Sequence, residues 1–599
     1  MSKRKNNAPK VFSENWKYLV AAVAFLVYIK SVGFGFVLDD DLFVRNHPNV
    51  QQGLSTIPSN FTEGSMLHFK GSNFQIYRPF TISFFTIQKS LFGFNPAGFH
   101  FVSVMLYVLL CLTVYGLIRM LDRSMHPFYA LAGSLLFAVH PVHSEVVANI
   151  KGQDELLSAL GCLFSLACFL RYVDKGARRD AVLAISAYLM ALFSKESAAV
   201  FCVIYPVSLL LLRKPSFKEL ARYVFPFFLA AGMFVACRHV ALAGLRQDFE
   251  TTVIENVLYG ATGAAQLWAT KWSILLWFLR LMVWPSGLSW DYSFNQIPLA
   301  DWNQAAPIVS VALYAGLVLI ALVSFKRQPL TAWGVSFFLL MILPTSNIFF
   351  LNGTTFAERF LFLPSVGWVV VLIPFFAKAC KAKLSEFSSS TSSGFILAAV
   401  IVLLLAGYTT AARVAEWKDN LTLFESGARN APRSSRVQSG LATEYMNLAE
   451  KSAALADRTR YVSLAREHFK AALEIYPANA NAAYRLGLIE AISGDTAASI
   501  RLYRTAIAVK PDLVFARVNL ATIFASQAAW DSASFHLTKA YETDSLNEMV
   551  LTNLMVVNFN LKKDDQVKRY AAVASRNGLA NPKIEELLRM SMGRAVRAE

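Results

Sequence analysis

KYLVAAVAFLVYIKSVGFGFVLDDD, Lys17 to Asp41, is an apolar run that ends on three consecutive carboxylates. A run of about 20 residues can cross a hydrocarbon core of ~30 Å, so Asp39, Asp40 and Asp41 are expected at the edge of a bilayer. Comparable runs recur as far as Arg413 and then stop. With 55% hydrophobic and 16% charged residues and a mean hydropathy of +0.42, the 599-residue chain reads as an integral membrane protein. From Ala415 onward it is Ala-rich, charged and soluble in character. The formal charge of +17 would suit nucleic acid only if the basic residues formed one patch. They sit instead in short clusters between apolar runs, as cytoplasmic loops do under the positive-inside rule. The basic start MSKRKNNAPK precedes an apolar run without a small-residue cleavage site, so it reads as a signal anchor. Cys111, Cys162, Cys168, Cys202, Cys237 and Cys380 lie in or beside apolar runs and form no CxxC pair, which gives no disulfide or zinc signal.

Spans are expected at 17–36, 97–118, 127–141, 154–171, 180–194, 197–212, 223–242, 306–325, 330–350, 360–377 and 394–412. A cytoplasmic N-terminus, residues 1–16, then puts every strongly basic loop on one side: Lys3/Arg4/Lys5, Arg119/Arg123, Lys175/Arg178/Arg179, Arg213/Lys214/Lys218, Lys326/Arg327 and Lys378/Lys381/Lys383. The segment 256–283 is apolar but contains Lys271 and Arg280, and a crossing there would send all later basic loops outside. It is expected to lie in the interface as an external helix, leaving eleven crossings over 17–413 and a large first external loop over 38–96. The same threading gathers ionisable residues on the external face: the acidic triplet with His47 and Arg78, then His140, His143, Glu145, Asp154 and Glu155, then Lys195 and Glu196, then Asp291, and last Glu358 and Arg359. Such groups at membrane depth usually mark a functional site.

Pro477 and Pro511 are 34 residues apart, the period of the tetratricopeptide (TPR) repeat. Leu486-Gly487, Tyr503 and Ala506 recur as Leu520-Ala521, Leu537 and Ala540, an earlier copy ends AREHFKAALEIYPAN, and a degenerate one follows from about Glu548. Residues 414–599 are therefore expected to form an external α-solenoid of about four repeats. TPRs hold protein segments, although a cap or dimer contact would use the same helices.

FVLDDD, FAVHPVHSEVVANIKGQDELLS (Phe137 to Ser158), FSKESAAV (Phe193 to Val200), LSWDYS (Leu288 to Ser293) and LPTSNIFFLNGTTFAERFLFLPSVGW (Leu343 to Trp368) occur in that order. Order and content together resemble the transmembrane O-mannosyltransferases with C-terminal TPRs, of the superfamily of C-type (GT-C), polyprenyl-phosphate-dependent glycosyltransferases. The resemblance implies an all-α membrane bundle with its active site on the non-cytoplasmic side, a sugar donor on polyprenyl phosphate, and a Ser or Thr hydroxyl of a protein as acceptor, engaged by the TPRs. It matches the family's acidic pair to Asp39 and Asp40 and its second-loop block to His140, Pro141, His143 and Glu145. Where relatives have a GRADLL-like run this chain reads GQDELL, keeping Asp154 but not the Arg.

Transfer to a hydroxyl needs a base to take the acceptor proton, and Asp39 leads, with Asp40 beside it. Three adjacent acids do not ionise together cheaply, so a compensating Arg is expected, or a divalent metal (Mg or Mn) held by Asp39 and Asp41. The leaving phosphate calls for cations, Arg359 first, then Arg78 and Lys195, with Asp41, His140, His143, Glu145, Asp154 and Glu358 also assigned to substrate. Competing readings are an acidic helix cap, structural ion pairs, an enzyme of the same fold acting on a lipid or cell-envelope glycan, and a membrane-anchored TPR scaffold. Compact loops and no cleaved signal fit a bacterial inner membrane, with the site and TPRs on the periplasmic side. The motifs leave the sugar open, mannose or another hexose.

Overall fold

A chain crossing hydrocarbon must satisfy its backbone groups internally, and all regular structure among the described residues is helical. The structure is a computed structural model that describes residues 10–66, 75–243, 251–379, 383–385, 393–579 and 581–598. The basic cluster Lys3/Arg4/Lys5, Lys381 and Cys380 lie outside the described residues; the other five cysteines are free.

The chain divides into two compact units, Met1–Ala431 and Pro432–Glu599. The division falls beyond the 413/414 boundary that composition suggests, because Trp417 and Leu423 are wholly buried in the core of the first unit. The Asn420–Asn430 helix, soluble in composition, thus belongs to the membrane-type unit.

In the first unit, helices stand at all eleven expected crossings. By length and apolarity, six among the described residues are able to cross a membrane: Asn15–Gly33, Pro96–Leu121, Ile150–Lys175, Phe217–Ala241, Ala305–Arg327 and Ile396–Ala415. Pro127–Ala138 with Pro141–Ala148, bent by 54°, makes a seventh if the pair counts as one. The break falls at His140-Pro141, where proline cannot supply the backbone donor of a continuous helix. Arg178–Ser194, Glu196–Leu212, Pro329–Thr345 and Pro364–Ala379 occupy the remaining four places and are shorter than a ~30 Å core asks of an upright helix. Burial sorts the long helices. Ile150–Lys175 is 72% buried in its apolar window and Ile396–Ala415 only 11%, so the former is central while the latter offers its surface to lipid. The ambiguous segment 256–283 holds one 20-residue helix, Ala264–Val283, which is not among the six; its Lys271 Nζ donates to Ile348 O at 3.0 Å, and Arg280 lies over the Trp277 ring.

In the second unit the first helices of successive pairs start at Ala480, Val514 and Glu548, each 34 residues after the last, and their partners at Thr496, Trp530 and Asp564. The pair Ser435–Lys451 and Leu455–Ile475 precedes them and Pro582–Ala598 follows, giving four helix pairs and a terminal helix. Asn479, Asp495 and Asn547 cap helix starts by accepting from the backbone N–H of Ala482, Ala498 and Val550 at 2.9–3.3 Å. The Leu-Gly of the motif has a steric cause: a Cβ on Gly487 would lie 2.9 Å from the Tyr503 ring.

The turn between the helices of a pair takes a left-handed residue at the same register in three repeats, Gly494 (φ 87°), Ala528 (φ 58°) and Lys562 (φ 59°). Only the first is glycine, and a side chain there costs roughly 1–2 kcal/mol, less glycine's own entropic cost. Ala528→Gly is expected to stabilise its repeat by about 0.5–1 kcal/mol. Hydrogen exchange across Trp530–Thr543 should slow by about two- to fivefold, and unchanged or faster exchange would contradict the strain argument.

Candidate active site

The acidic triplet is sorted by its backbone. Leu38 is held at φ 48°, a conformation unusual for a branched side chain, and its N–H donates to Asn420 Oδ1 at 3.0 Å while Gly35 N–H donates to Lys418 O at 3.1 Å. The segment after the first helix is thus pinned to the segment that follows the last expected span, Ser393–Ala415. From this turn the two following carboxylates point apart. Asp40 is wholly buried: one oxygen accepts from Val37 N–H at 3.0 Å and the other from Lys151 N–H at 2.7 Å. Asp39 is exposed, and its carboxylate has no hydrogen-bond or ion-pair partner among the described residues. Asp41 pairs with Arg45 at 2.8 Å, one helical turn on.

Around this loop lies a cluster of alternating charge. Arg78 donates to Asp154 at 2.6 Å and grips Glu196 through two nitrogens at 3.0 and 2.7 Å. Lys151 reaches Asp154 at 3.3 Å and lies over the Phe43 ring, while Lys195 pairs with Glu155. Glu145 takes both the backbone N–H of Arg359, at 2.8 Å, and its guanidinium. Burial opposes the charge on Arg359, but Glu145, then Asp39 and Glu155, hold its pKa above the ordinary value. Arg359 therefore feels the exposed Asp39, and its side chain remains 32% accessible.

Behind this layer stands a buried one. Glu358 is fully enclosed; one oxygen accepts from Ser289 N–H and Tyr292 OH, both at 2.6 Å, and the other faces Arg413 at 3.6 Å. This fixes the LSWDYS loop and the last span against the AERF turn. Asn347, at φ 59°, organises the rest of that motif: its Oδ1 accepts from Asn256 Nδ2 at 3.0 Å and Asn352 N–H at 2.7 Å, and its Nδ2 donates to Thr355 O at 3.1 Å.

The sequence residues fall into groups. Asp39, Arg78, Glu145, Asp154, Lys195 and Arg359 come together in one charged cluster. Asp40 and Glu358 lie beneath it as buried acceptors of backbone and tyrosine donors. His143 is buried against Phe137 and Phe362, bonded to Tyr107 OH at 2.8 Å and Ser365 Oγ at 2.9 Å. His140, partly buried, reaches Met282 O at 3.3 Å. The two rings are 5.6 Å apart, but each is engaged with its own neighbours. Lys151 and Arg413 were not among the expected site residues. Arg413 could have been found as an ionisable group in the last turn of a span; Lys151 lies inside the second-loop block, where the neighbouring His and Asp residues draw the eye.

Of the pair expected for a divalent cation, one member is engaged elsewhere. Asp41 holds Arg45, and no group of three or more His, Cys, Asp or Glu side chains converges among the described residues.

Burial pushes both Asp40 and Glu358 up to about 7. A raised carboxyl pKa means that the folded chain keeps a proton the unfolded chain has lost. The contribution is fully present below the unfolded pKa near 4 and is lost as pH rises through about 7. The wild-type unfolding temperature should therefore fall between pH 5 and pH 8, and Asp40→Asn should shrink that difference. At pH 8 the variant is expected to lose about 1–3 kcal/mol, since its NH2 would face a backbone N–H, whereas Asp39→Asn should leave thermal unfolding unchanged.

No family model matches the chain. It is 27% identical over 522 residues to the human protein O-mannosyl-transferase TMTC1, 79% of this chain and 56% of the relative. Against the Caenorhabditis elegans protein O-mannosyl-transferase F38B6.6 it is 27% identical, over 71% of this chain and 59% of that one. Against the human protein O-mannosyl-transferase TMTC4 the identity is 28%, over 73% and 64%. The chain thus spans between about half and two thirds of the length of these relatives. The solved structure of the APC/C hetero-tetramer Cut9-Hcn1 covers 86% of this chain and 93% of its own at 12% identity, with a TM-score of 0.26, too low to argue from. Over most of its length the chain is a homologue of proteins named protein O-mannosyl-transferases.

Proposed function

We propose that the chain is a membrane glycosyltransferase that moves a hexose, mannose first, from a polyprenyl-phosphate donor to Ser or Thr hydroxyls of proteins on the non-cytoplasmic side. The observation that carries this reading is the unpartnered, exposed carboxylate of Asp39 beside the accessible guanidinium of Arg359, in a homologue of protein O-mannosyl-transferases. Asp39 takes the acceptor proton as the hydroxyl oxygen bonds to the sugar's C1. The C1–O bond to phosphate breaks, and the phosphate leaves with the electron pair. Arg359 receives that charge: its Nε and Nη2 have no partner among the described residues, and a planar fork suits phosphate oxygens. Arg78, Lys151 and Lys195 add positive potential, each already steadied by a carboxylate, so they need little reorganisation as charge develops. Asp40 is a positioning residue, holding the turn from which Asp39 projects.

The donor's chain needs an apolar path from the bilayer. Between Ala264–Val283, Ala305–Arg327 and Pro329–Ile342 runs an apolar groove of about 570 Å³, with Trp272, Leu275, Tyr314 and Ile342 in its walls. Leu275, Tyr314 and Ile342 pack in the same core cluster as Tyr292 and Leu361, which flank the Glu358–Arg359 turn. We assign the polyprenyl tail to this groove and the acceptor polypeptide to the TPR unit. Eleven crossings, as the charge pattern frames them, and a bacterial inner membrane with a periplasmic site, as the compact loops suggest, complete the proposal.

The test is transfer in reconstituted membranes: polyprenyl-phosphate sugars with Ser/Thr peptides, read by peptide mass. Wild type should add one hexose, and Asp39→Asn should lower the rate by about 10²–10⁴-fold while unfolding as wild type does. Equal activity in the two would remove Asp39 as base. No transfer from any donor would remove the enzymatic reading.

A further inference from the structure

A second charged site lies at the other ends of the membrane helices. Asp154 and Asp174 both belong to the Gln153–Lys175 helix, and 20 residues at 1.5 Å each put them about 30 Å apart, the thickness of a hydrocarbon core. Asp154 is in the cluster with Asp39. Asp174 lines a cavity of about 930 Å³ whose rim is made by helix ends at Leu121, Leu212 and Arg327, by the start of the next helix at Pro329, and by Lys378.

The cavity is basic. Arg123, Arg213, Arg327, Lys378 and Lys383 line it against two acids, Asp122 and Asp174. Both acids are occupied. Asp174 is shared by Arg213, at 2.7 and 3.1 Å, and by Arg123; Asp122 Oδ1 accepts from the N–H and Oγ of Ser124 at 2.9 and 2.7 Å. Arg213 also donates to Met120 O at 3.0 Å, so that side of the cavity is braced. Facing it, Arg327 and Lys378 are exposed and make no hydrogen bond or ion pair among the described residues. Leu121, Leu212 and Leu330 form apolar lining beside the charges. Topology alone asks only that cations stand on this face; it does not ask five of them to share one cavity with an apolar lining.

We propose that this cavity binds the phosphate headgroup of an anionic phospholipid, with Arg327 and Lys378 as its direct contacts, Arg213 as the braced wall behind them, and the leucines against the first acyl carbons. Basic cavities between membrane helices on the cytoplasmic side suit such headgroups. The site is independent of the transfer reaction and lies on the opposite face of the helix bundle.

Native mass spectrometry of the full chain in detergent, with equal phosphatidylglycerol and phosphatidylcholine, tests it. Phosphatidylglycerol adducts should exceed phosphatidylcholine adducts by about tenfold, and the double variant Arg327→Gln/Lys378→Gln should lose that preference. Lys175→Gln/Arg178→Gln, two exposed cations at the same level but outside the cavity, should retain it. Arg327→Lys/Lys378→Arg should retain it too, which separates lost charge from lost folding. Equal binding of the two lipids by wild type, or equal losses in both glutamine doubles, would overturn the proposal. So would inorganic phosphate binding to lipid-free wild type with the same dependence on Arg327 and Lys378, which would make the ligand a soluble phosphate.

Discussion

One carboxylate determines what the first loop can do. Asp40 takes the N–H of Val37 from its own turn and the N–H of Lys151 from the second loop, so two connections more than a hundred residues apart are closed by a single buried side chain. A carboxylate without a cation beside it is expensive to bury, and here only backbone donors compensate. The gain is geometric. With Asp40 turned inward and Leu38 held in its left-handed turn by Asn420, Asp39 is directed outward on a backbone that cannot relax. If Asp39 is the base proposed above, its reach is fixed by its neighbour.

The charged layer follows a second constraint. Near hydrocarbon an unpaired ion costs several kcal/mol, so each cation of the cluster has a carboxylate: Arg78 with Asp154 and Glu196, Lys151 with Asp154, Lys195 with Glu155, Arg359 with Glu145. Pairing keeps the ions folded in place, while Arg359 retains unfilled donors. A site built this way holds guanidinium and ammonium groups in place without leaving bare cations, at a local balance near neutral.

Much of this was legible in the sequence, for reasons that can be named. Helix positions followed from apolar run length, and the repeat from a 34-residue spacing that survives in the helix starts at Ala480, Val514 and Glu548. What could not be read was direction. Three adjacent aspartates look alike in a string; only a φ of 48° at Leu38 and two backbone donors, one from the same turn and one from the distant second loop, distinguish Asp39 from Asp40. His140 and His143 sit i and i+3 across a proline, a spacing that suggested a shared site. The proline instead breaks the helix, and His143 turns into an aromatic pocket between two hydroxyls. The domain boundary differs for a similar reason: Trp417 and Leu423 are among a few apolar residues in a polar stretch, and composition averages them away.

The Gln153–Lys175 helix joins the two membrane faces and uses the same device at each. At one end Asp154 is shared by Arg78 and Lys151; at the other Asp174 is shared by Arg123 and Arg213. In both places one acid between two cations braces the helix end against its neighbours and leaves local charge to spare. The faces differ in what surrounds this core. Around Asp154 further carboxylates bring the balance near neutral and leave one acid, Asp39, exposed. Around Asp174 the one further acid in the cavity lining is Asp122, which accepts from Ser124, and Arg327 and Lys378 make no ion pair among the described residues. One structural solution for anchoring a long helix thus leaves an ion-paired layer with an exposed carboxylate at one end and exposed cations at the other, the difference set by a few acids in the loops.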